Sequence, residues 1–164
     1  MSRNLTVKDD RVVVIGAGAS GLAAAQALRG RGIPVRIIER ANRAGDAWYH
    51  RHPQLRLNTH RQMSTLPLLA IPKATGAFPS RDSIIHYLGD YAARLDAPID
   101  YGVEVTRIDR TRSSWVVTTR AGDVKGDGLL QFVQCGDRFP ERRVGSARRR
   151  GHLEKPLIMR KWGY

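Results

Sequence analysis

Residues Val12 to Gly21 read Val-Val-Val-Ile-Gly-Ala-Gly-Ala-Ser-Gly, an apolar β-branched run that ends in three glycines spaced G-x-G-x-x-G. An alanine-rich helical pattern follows from Leu22 to Leu28, and a second apolar run, Val35-Arg36-Ile37-Ile38, closes on Glu39. Strand, glycine turn, helix, strand and acid in that order form the dinucleotide-binding fingerprint in its required context. Each part has a physical task. Gly16 permits the tight turn, Gly18 lets a pyrophosphate approach bare backbone, and Gly21 lets the helix pack closely on the strand. The helix start offers unpaired N–H groups and the positive end of a dipole to phosphate oxygens. Glu39 falls where a carboxylate can accept hydrogen bonds from ribose hydroxyls, and its charge would repel a 2′-phosphate, which favours FAD or NAD over NADP here. A lone glycine motif would serve as an ordinary turn, and Glu39 alone as a solvated strand-end acid. The ordered set favours the site.

The rest of the sequence narrows the class. A chain of 164 residues suits one domain with a sizeable core, and 41% hydrophobic with 26% charged residues is a globular composition. No run approaches the ~18 apolar residues of a membrane span, and residues 1–11 lack the apolar segment of a signal peptide, so a cytoplasmic location is expected. The single cysteine, Cys135, leaves no partner for an internal disulfide and follows an apolar stretch, which predicts a buried thiol. Residues 138–164 hold nine Lys/Arg against two Asp/Glu, more than half of the +13 net charge, and this shift marks a boundary near residue 137.

Gly30-Arg31-Gly32-Ile33-Pro34 ends the first helix and starts the next strand. Residues 41–80, broken by Pro53, Pro67, Pro72 and Pro79, read as irregular, and so long a segment in a compact domain suggests a task such as covering a cofactor. Ser80 reads as the N-cap of a helix, with Asp82 near its positive end and Ile84, Ile85, Leu88, Tyr91, Ala92 and Leu95 on its buried face. Strands are expected over Ile99–Ile108, where Tyr101, Val103 and Val105 alternate, over Ser114–Arg120, and over Val124–Val133 after a turn at Ala121-Gly122-Asp123. The fold class is thus α/β: a Rossmann-like FAD/NAD(P)-binding domain with a central parallel sheet and a small antiparallel β-meander around residues 100–125. Residues 1–137 would form that domain, incomplete, and 138–164 a basic tail.

By these landmarks the chain resembles the N-terminal FAD-binding part of flavin-containing monooxygenases and their bacterial flavoprotein relatives. Beyond the glycine loop and Glu39, Arg43-Ala44-Gly45-Asp46-Ala47-Trp48 is similar to the glycine-tryptophan turn that lies over the flavin, with Asp46 where many members have a second glycine. Leu57-Asn58-Thr59-His60-Arg61-Gln62-Met63 resembles the segment that meets the flavin ring, and Phe78-Pro79-Ser80-Arg81 a common helix start. The resemblance covers residues 11 to about 125.

It implies FAD as cofactor, held by Gly16, Gly18, Ala19, Ser20, Gly21, Glu39, Arg40, Gly45, Trp48, Val105 and Gly136. It also implies NADPH-driven oxygenation, in which NADPH reduces the flavin and the reduced flavin activates O₂ against a soft nucleophile or a carbonyl compound. Asn58 matches an asparagine beside the flavin, where a neutral amide can donate a hydrogen bond without giving up its proton. It reads equally as a turn asparagine. Trp48 reads as core packing near the cofactor. His50, His52 and His60 match no metal-ligand spacing, and no metal is expected.

The family's second glycine motif, for NADPH, is not found after Gly21. Its closing Ala-Thr-Gly strand has only Phe132-Val133-Gln134-Cys135-Gly136 as a counterpart, and the resemblance stops there. A truncated form is the expectation, with a reading frame shifted near residues 124–137 or, as the alternative, a natural short form. Loss of a sheet strand would then expose an edge, to be covered by a protein partner or by self-association. Two other readings remain beside the flavoprotein: an inactive remnant, and an anionic-surface or nucleic-acid binder using the arginines. A charge run is usually solvated, and only Phe139, Trp162 and Tyr164 interleave it, so nucleic acid is not the expected partner.

Overall fold

The computed structural model describes residues 10–131 and 141–144. Gly136, Cys135 and the remainder of the basic tail lie outside the described residues, as does the N-terminal segment.

The fingerprint folds as its pattern dictates. β1 (Asp10–Ile15) leads through the glycine loop into α1 (Ala19–Arg29), and β2 (Val35–Glu39) returns parallel to β1, with Val12 beside Val35 and Ile15 beside Ile38. After residues 41–80, which contain three short 3₁₀ turns and two isolated β-bridges, come α2 (Arg81–Arg94), β3 (Ile99–Tyr101), β4 (Val105–Arg110), β5 (Trp115–Thr119), β6 (Gly122–Gln131) and β7 (Glu141–Val144). The sheet runs β3-β2-β1-β6-β5-β4-β7. β3, β2, β1 and β6 are mutually parallel, and β6, β5 and β4 form the antiparallel meander. Four residues of the arginine-rich stretch, as β7, add a strand parallel to β4.

The meander is continuous with the parallel core, because β6 belongs to both. Its first half, Gly122–Gly126, pairs with β5, and Gly126–Gln131 pairs with β1. The expected strand over Ile99–Ile108 is in fact two strands near opposite ends of the sheet. Alternation runs through Tyr101, Val103 and Val105, but Gly102 sits at φ +71 and breaks the extended run. Its N–H donates to Ala41 O and that of Val103 to Glu39 O, each at 2.9 Å, so the connection crosses the end of β2.

Pleating sends alternate residues to the two faces. Val14 and Ile37 join Leu22 and Ala25 of α1 and Ile84, Tyr87, Leu88, Tyr91 and Ala92 of α2 in the larger core. Val13 and Ile38 face the other way and pack with Val117 and Val124 of the meander. Ser80 caps α2 as its position predicts, its Oγ accepting from the Ser83 N–H at 3.2 Å. Tyr87, which the pattern did not single out, is buried in place of Ile85. Its hydroxyl accepts from the Leu66 N–H at 2.7 Å and donates to Leu69 O at 2.6 Å, and Tyr91 donates to Pro67 O at 2.8 Å. Two tyrosines of α2 thereby hold the turn Leu66–Leu69 of the irregular segment, giving it backbone partners that it cannot supply itself.

Candidate functional site

Strand ends and helix starts converge at the glycine loop. Gly16 stands at φ +103, a conformation open mainly to glycine, and its N–H donates to Ile38 O at 2.8 Å. A Cβ on Gly21 would lie 1.9 Å from Gly16 O, so this glycine is demanded by the protein's own packing. Gly18 is different: among the described residues, a Cβ there would meet nothing within 4 Å. Its φ of −78° suits any residue, so neither packing nor backbone conformation requires a glycine.

Gly18 is also the N-cap of α1. Among the described residues no side chain caps this helix, and its first turn holds no acid. The half-buried Ser20 hydroxyl has no hydrogen-bond partner among the described residues. The helix start therefore presents uncapped N–H groups and an uncompensated positive end next to open space, an arrangement that suits phosphate oxygens.

Glu39 closes the other side. Its Oε2 accepts from the Ala17 N–H at 2.6 Å and its Oε1 from the Ala41 N–H at 2.8 Å. A carboxylate oxygen has two lone pairs, so each keeps one acceptor position. Tyr101 pairs with Glu39 across the β2–β3 edge, and burial together with the Glu39 charge raises its phenol pKa. Arg40 is exposed just beyond.

The loop is tied to the next landmark through Ala17, which is fully buried and whose carbonyl accepts the Gly45 N–H at 2.9 Å. Gly45 has φ +66, and a Cβ on it would lie 2.7 Å from Leu88 Cδ1. Trp48 N–H returns to Gly45 O at 2.9 Å, and the half-buried indole packs against the larger core. Asp46 follows Gly45 in this turn. Its carboxylate takes the Arg43 Nε at 2.7 Å and meets His50 Nε2 at 3.0 Å, while the Arg43 guanidinium lies 3.7 Å above the Tyr49 ring. The Arg43 hydrogen bond, helped by His50, lowers the Asp46 pKa, and that of Arg43 is raised.

A carboxyl whose pKa is lower folded than unfolded stabilises the fold above the ordinary carboxylate range and loses that contribution as pH falls through the lowered value. Asp46→Asn is accordingly expected to melt slightly below wild type at pH 7. The gap should close in acid, which thermal melts of both proteins from pH 7 to 3 would measure.

The structure thus brings together Gly16, Gly18, Gly21, Glu39 and Gly45. Trp48 joins them through its turn. Val105 instead sits at the start of β4 and packs with the second core cluster. Asn58 is an exposed loop residue, next to Leu57, whose N–H donates to Pro79 O at 2.9 Å. The Asn58 amide has no hydrogen-bond partner among the described residues, so it closes no Asx turn. His50, His52 and His60 have separate local partners, in Asp46, the Gln54 N–H and the Gln62 N–H. Ala17, which links Glu39 to Gly45, went unnoticed in the sequence because it acts through its backbone.

A family model for pyridine nucleotide-disulphide oxidoreductase matches residues 13–130. An uncharacterized CzcO-like oxidoreductase of Geobacillus kaustophilus is 37% identical over 119 residues, which cover 73% of this chain and 34% of that protein. The indole-3-pyruvate monooxygenase YUCCA1 of Oryza sativa subsp. japonica is 36% identical over 115 residues, 68% of this chain and 28% of that one. A flavin-containing monooxygenase from Stenotrophomonas maltophilia superposes with a TM-score of 0.70 at 28% identity, over 74% of this chain and 37% of that structure. The chain spans about a third of the length of the curated relatives it matches. Among the described residues, no helix is long and apolar enough to cross a membrane. With its ordered glycine loop, acid and Gly45 turn, the chain belongs to the pyridine nucleotide-disulphide oxidoreductase family and, within it, to the flavin monooxygenase-like proteins.

Proposed function

We propose that this chain is the FAD-binding part of an NADPH-dependent flavoprotein monooxygenase or related oxidoreductase. The observation that carries the proposal is Gly18, a glycine that the protein's own packing does not need, at an uncapped helix start beside open space. Backbone N–H groups of Gly18, Ala19, Ser20 and Gly21 would hold the pyrophosphate, with Gly16 shaping the turn. The two free acceptor positions of Glu39 suit a ribose diol and oppose a 2′-phosphate, with Arg40 alongside. Gly45 and Trp48 would stand at the flavin end, with Val105 and Gly136 completing the cradle and Asn58 offering its unpaired amide to the reacting edge. FAD, when bound, supplies hydride acceptance and oxygen activation. The protein binds it, orients it and keeps water away. Likeness to proteins described as monooxygenases supports oxygen chemistry over simple electron transfer. NADPH would need a second glycine motif, which these 164 residues do not carry. These residues would therefore supply FAD binding, and NADPH oxidation would need a second glycine motif from outside them.

The test is a visible spectrum of the purified chain after incubation with FAD and desalting. Retained flavin bands are expected. A folded but colourless protein would overturn the proposal and leave a remnant without a cofactor site.

A further inference from the structure

We infer that Glu39 is a positioning residue that sets the distance between the glycine loop and the Gly45–Trp48 turn before any cofactor arrives. This rests on the FAD-binding reading for its purpose, though not for its geometry. One carboxylate collects the ends of two segments, with Oε2 on the Ala17 N–H at 2.6 Å and Oε1 on the Ala41 N–H at 2.8 Å. The same Ala17 accepts the Gly45 N–H at 2.9 Å, and Gly45 in turn accepts the Trp48 N–H at 2.9 Å. A continuous line therefore runs from the carboxylate through Ala17 and Gly45 to Trp48. The line is held at both ends. Glu39 and Ala41 carbonyls take the N–H groups of Val103 and Gly102, which fixes the end of β2. A Cβ on Gly45 would lie 2.7 Å from Leu88 Cδ1 and 3.2 Å from Leu88 Cβ, so the turn sits directly against α2.

A charged acceptor suits this place for two reasons. Both Ala17 and Ala41 are donors, so both oxygens must accept, and only a carboxylate has two equivalent acceptor oxygens. Hydrogen bonds to an ionised group are about twice as strong as neutral ones, which lets one side chain order a loop that contains glycines at 16, 18 and 21. A glutamine could satisfy one donor and would turn its own NH₂ toward the other. The acid would thus act twice: with its inner lone pairs it presets the loop, and with its outer ones it meets the ribose. Cofactor binding would then cost less loop ordering, because Glu39 itself holds the two segments at their spacing.

The test is amide hydrogen exchange of the ligand-free protein, wild type against Glu39→Gln, read at Ala17, Gly45 and Trp48 with Val13 and Val14 as internal controls. The expected result is about tenfold or faster exchange at Ala17 and Gly45 with the β1 controls unchanged. Unchanged exchange at Gly45 in a folded variant overturns the inference, even if FAD binding is lost, because Glu39 would then act by ribose contact alone. If Glu39→Gln does not fold, Glu39→Asp keeps the charge but is one methylene short of spanning both donors. It should show the same local acceleration, and unchanged exchange there overturns the inference equally. Since no FAD is present, a wild-type chain that takes up no flavin would defeat the functional proposal and leave this measurement standing.

Discussion

Alanine at Gly18 and alanine at Gly21 are expected to fail in opposite ways. Gly21→Ala places a methyl group 1.9 Å from Gly16 O, a backbone atom that cannot step aside without moving the loop. The expected loss of folding stability is about 3 kcal/mol, at the upper end for overpacking. Gly18→Ala puts its methyl into open space at a φ of −78° that alanine adopts freely. Alanine is a poorer N-cap than glycine, but it also lowers the entropy of the unfolded chain. The two effects are similar in size and opposed, so stability should stay within about 0.5 kcal/mol of wild type. FAD retention, by contrast, should drop at least about tenfold, because the methyl stands where the pyrophosphate must touch backbone. Denaturant melts of the ligand-free proteins and flavin titrations separate the two outcomes. An unstable Gly18→Ala, or one that binds FAD as wild type does, would remove the main support for a phosphate site.

Tyr87→Phe is the second large effect. The hydroxyl is both acceptor for Leu66 N–H and donor to Leu69 O, and the residue is only 5% exposed. Its removal strands a buried backbone donor and acceptor at once, at a cost of about 2 kcal/mol. Protease cleavage within residues 64–71 should accelerate more than global unfolding does, since the turn loses its fastening while the sheet keeps its own. Burial raises the pKa of Tyr87 above the usual phenol value, and does the same for Tyr91 with help from Tyr87. A group whose pKa is raised in the folded state stabilises the fold below its unfolded pKa and loses that contribution as pH climbs through the folded value. Wild type should therefore lose stability above about pH 10, and Tyr87→Phe should lose less over the same range. Melting curves at pH 8 and above pH 10 would check the sign.

These residues also mark what the sequence could and could not reveal. Gly16, Gly21 and Glu39 were legible because each place tolerates few residue types, and Gly18 because it completes their spacing. Ser80 was legible for the same reason. The strand over Ile99–Ile108 misled because alternation of Tyr101, Val103 and Val105 persists through Gly102, and period alone does not register a break between two strands that pair in different parts of the sheet. Tyr87 stayed hidden because its partners are backbone groups 21 and 18 residues away, in a segment without periodicity. Ala17 stayed hidden because a residue that works through N–H and C=O leaves no trace in its side chain. The cofactor end of the site is legible where side-chain chemistry is specific, and obscure where backbone does the work.

The double membership of β6 carries a consequence for synthesis. β1 gains its second neighbour only when Gly126–Gln131 arrives, with Asp10 beside Gly126, 116 positions later in the chain. A nascent chain emerging from the ribosome can pair β1 with β2 early, but the opposite edge of Val12–Ile15 then waits, apolar and unpaired, through the translation of α2 and most of the meander. Closing so distant a pair is slow as well as late. The same strand that welds the meander to the parallel core thus leaves an apolar edge exposed to intermolecular pairing for the interval before its central pair can form.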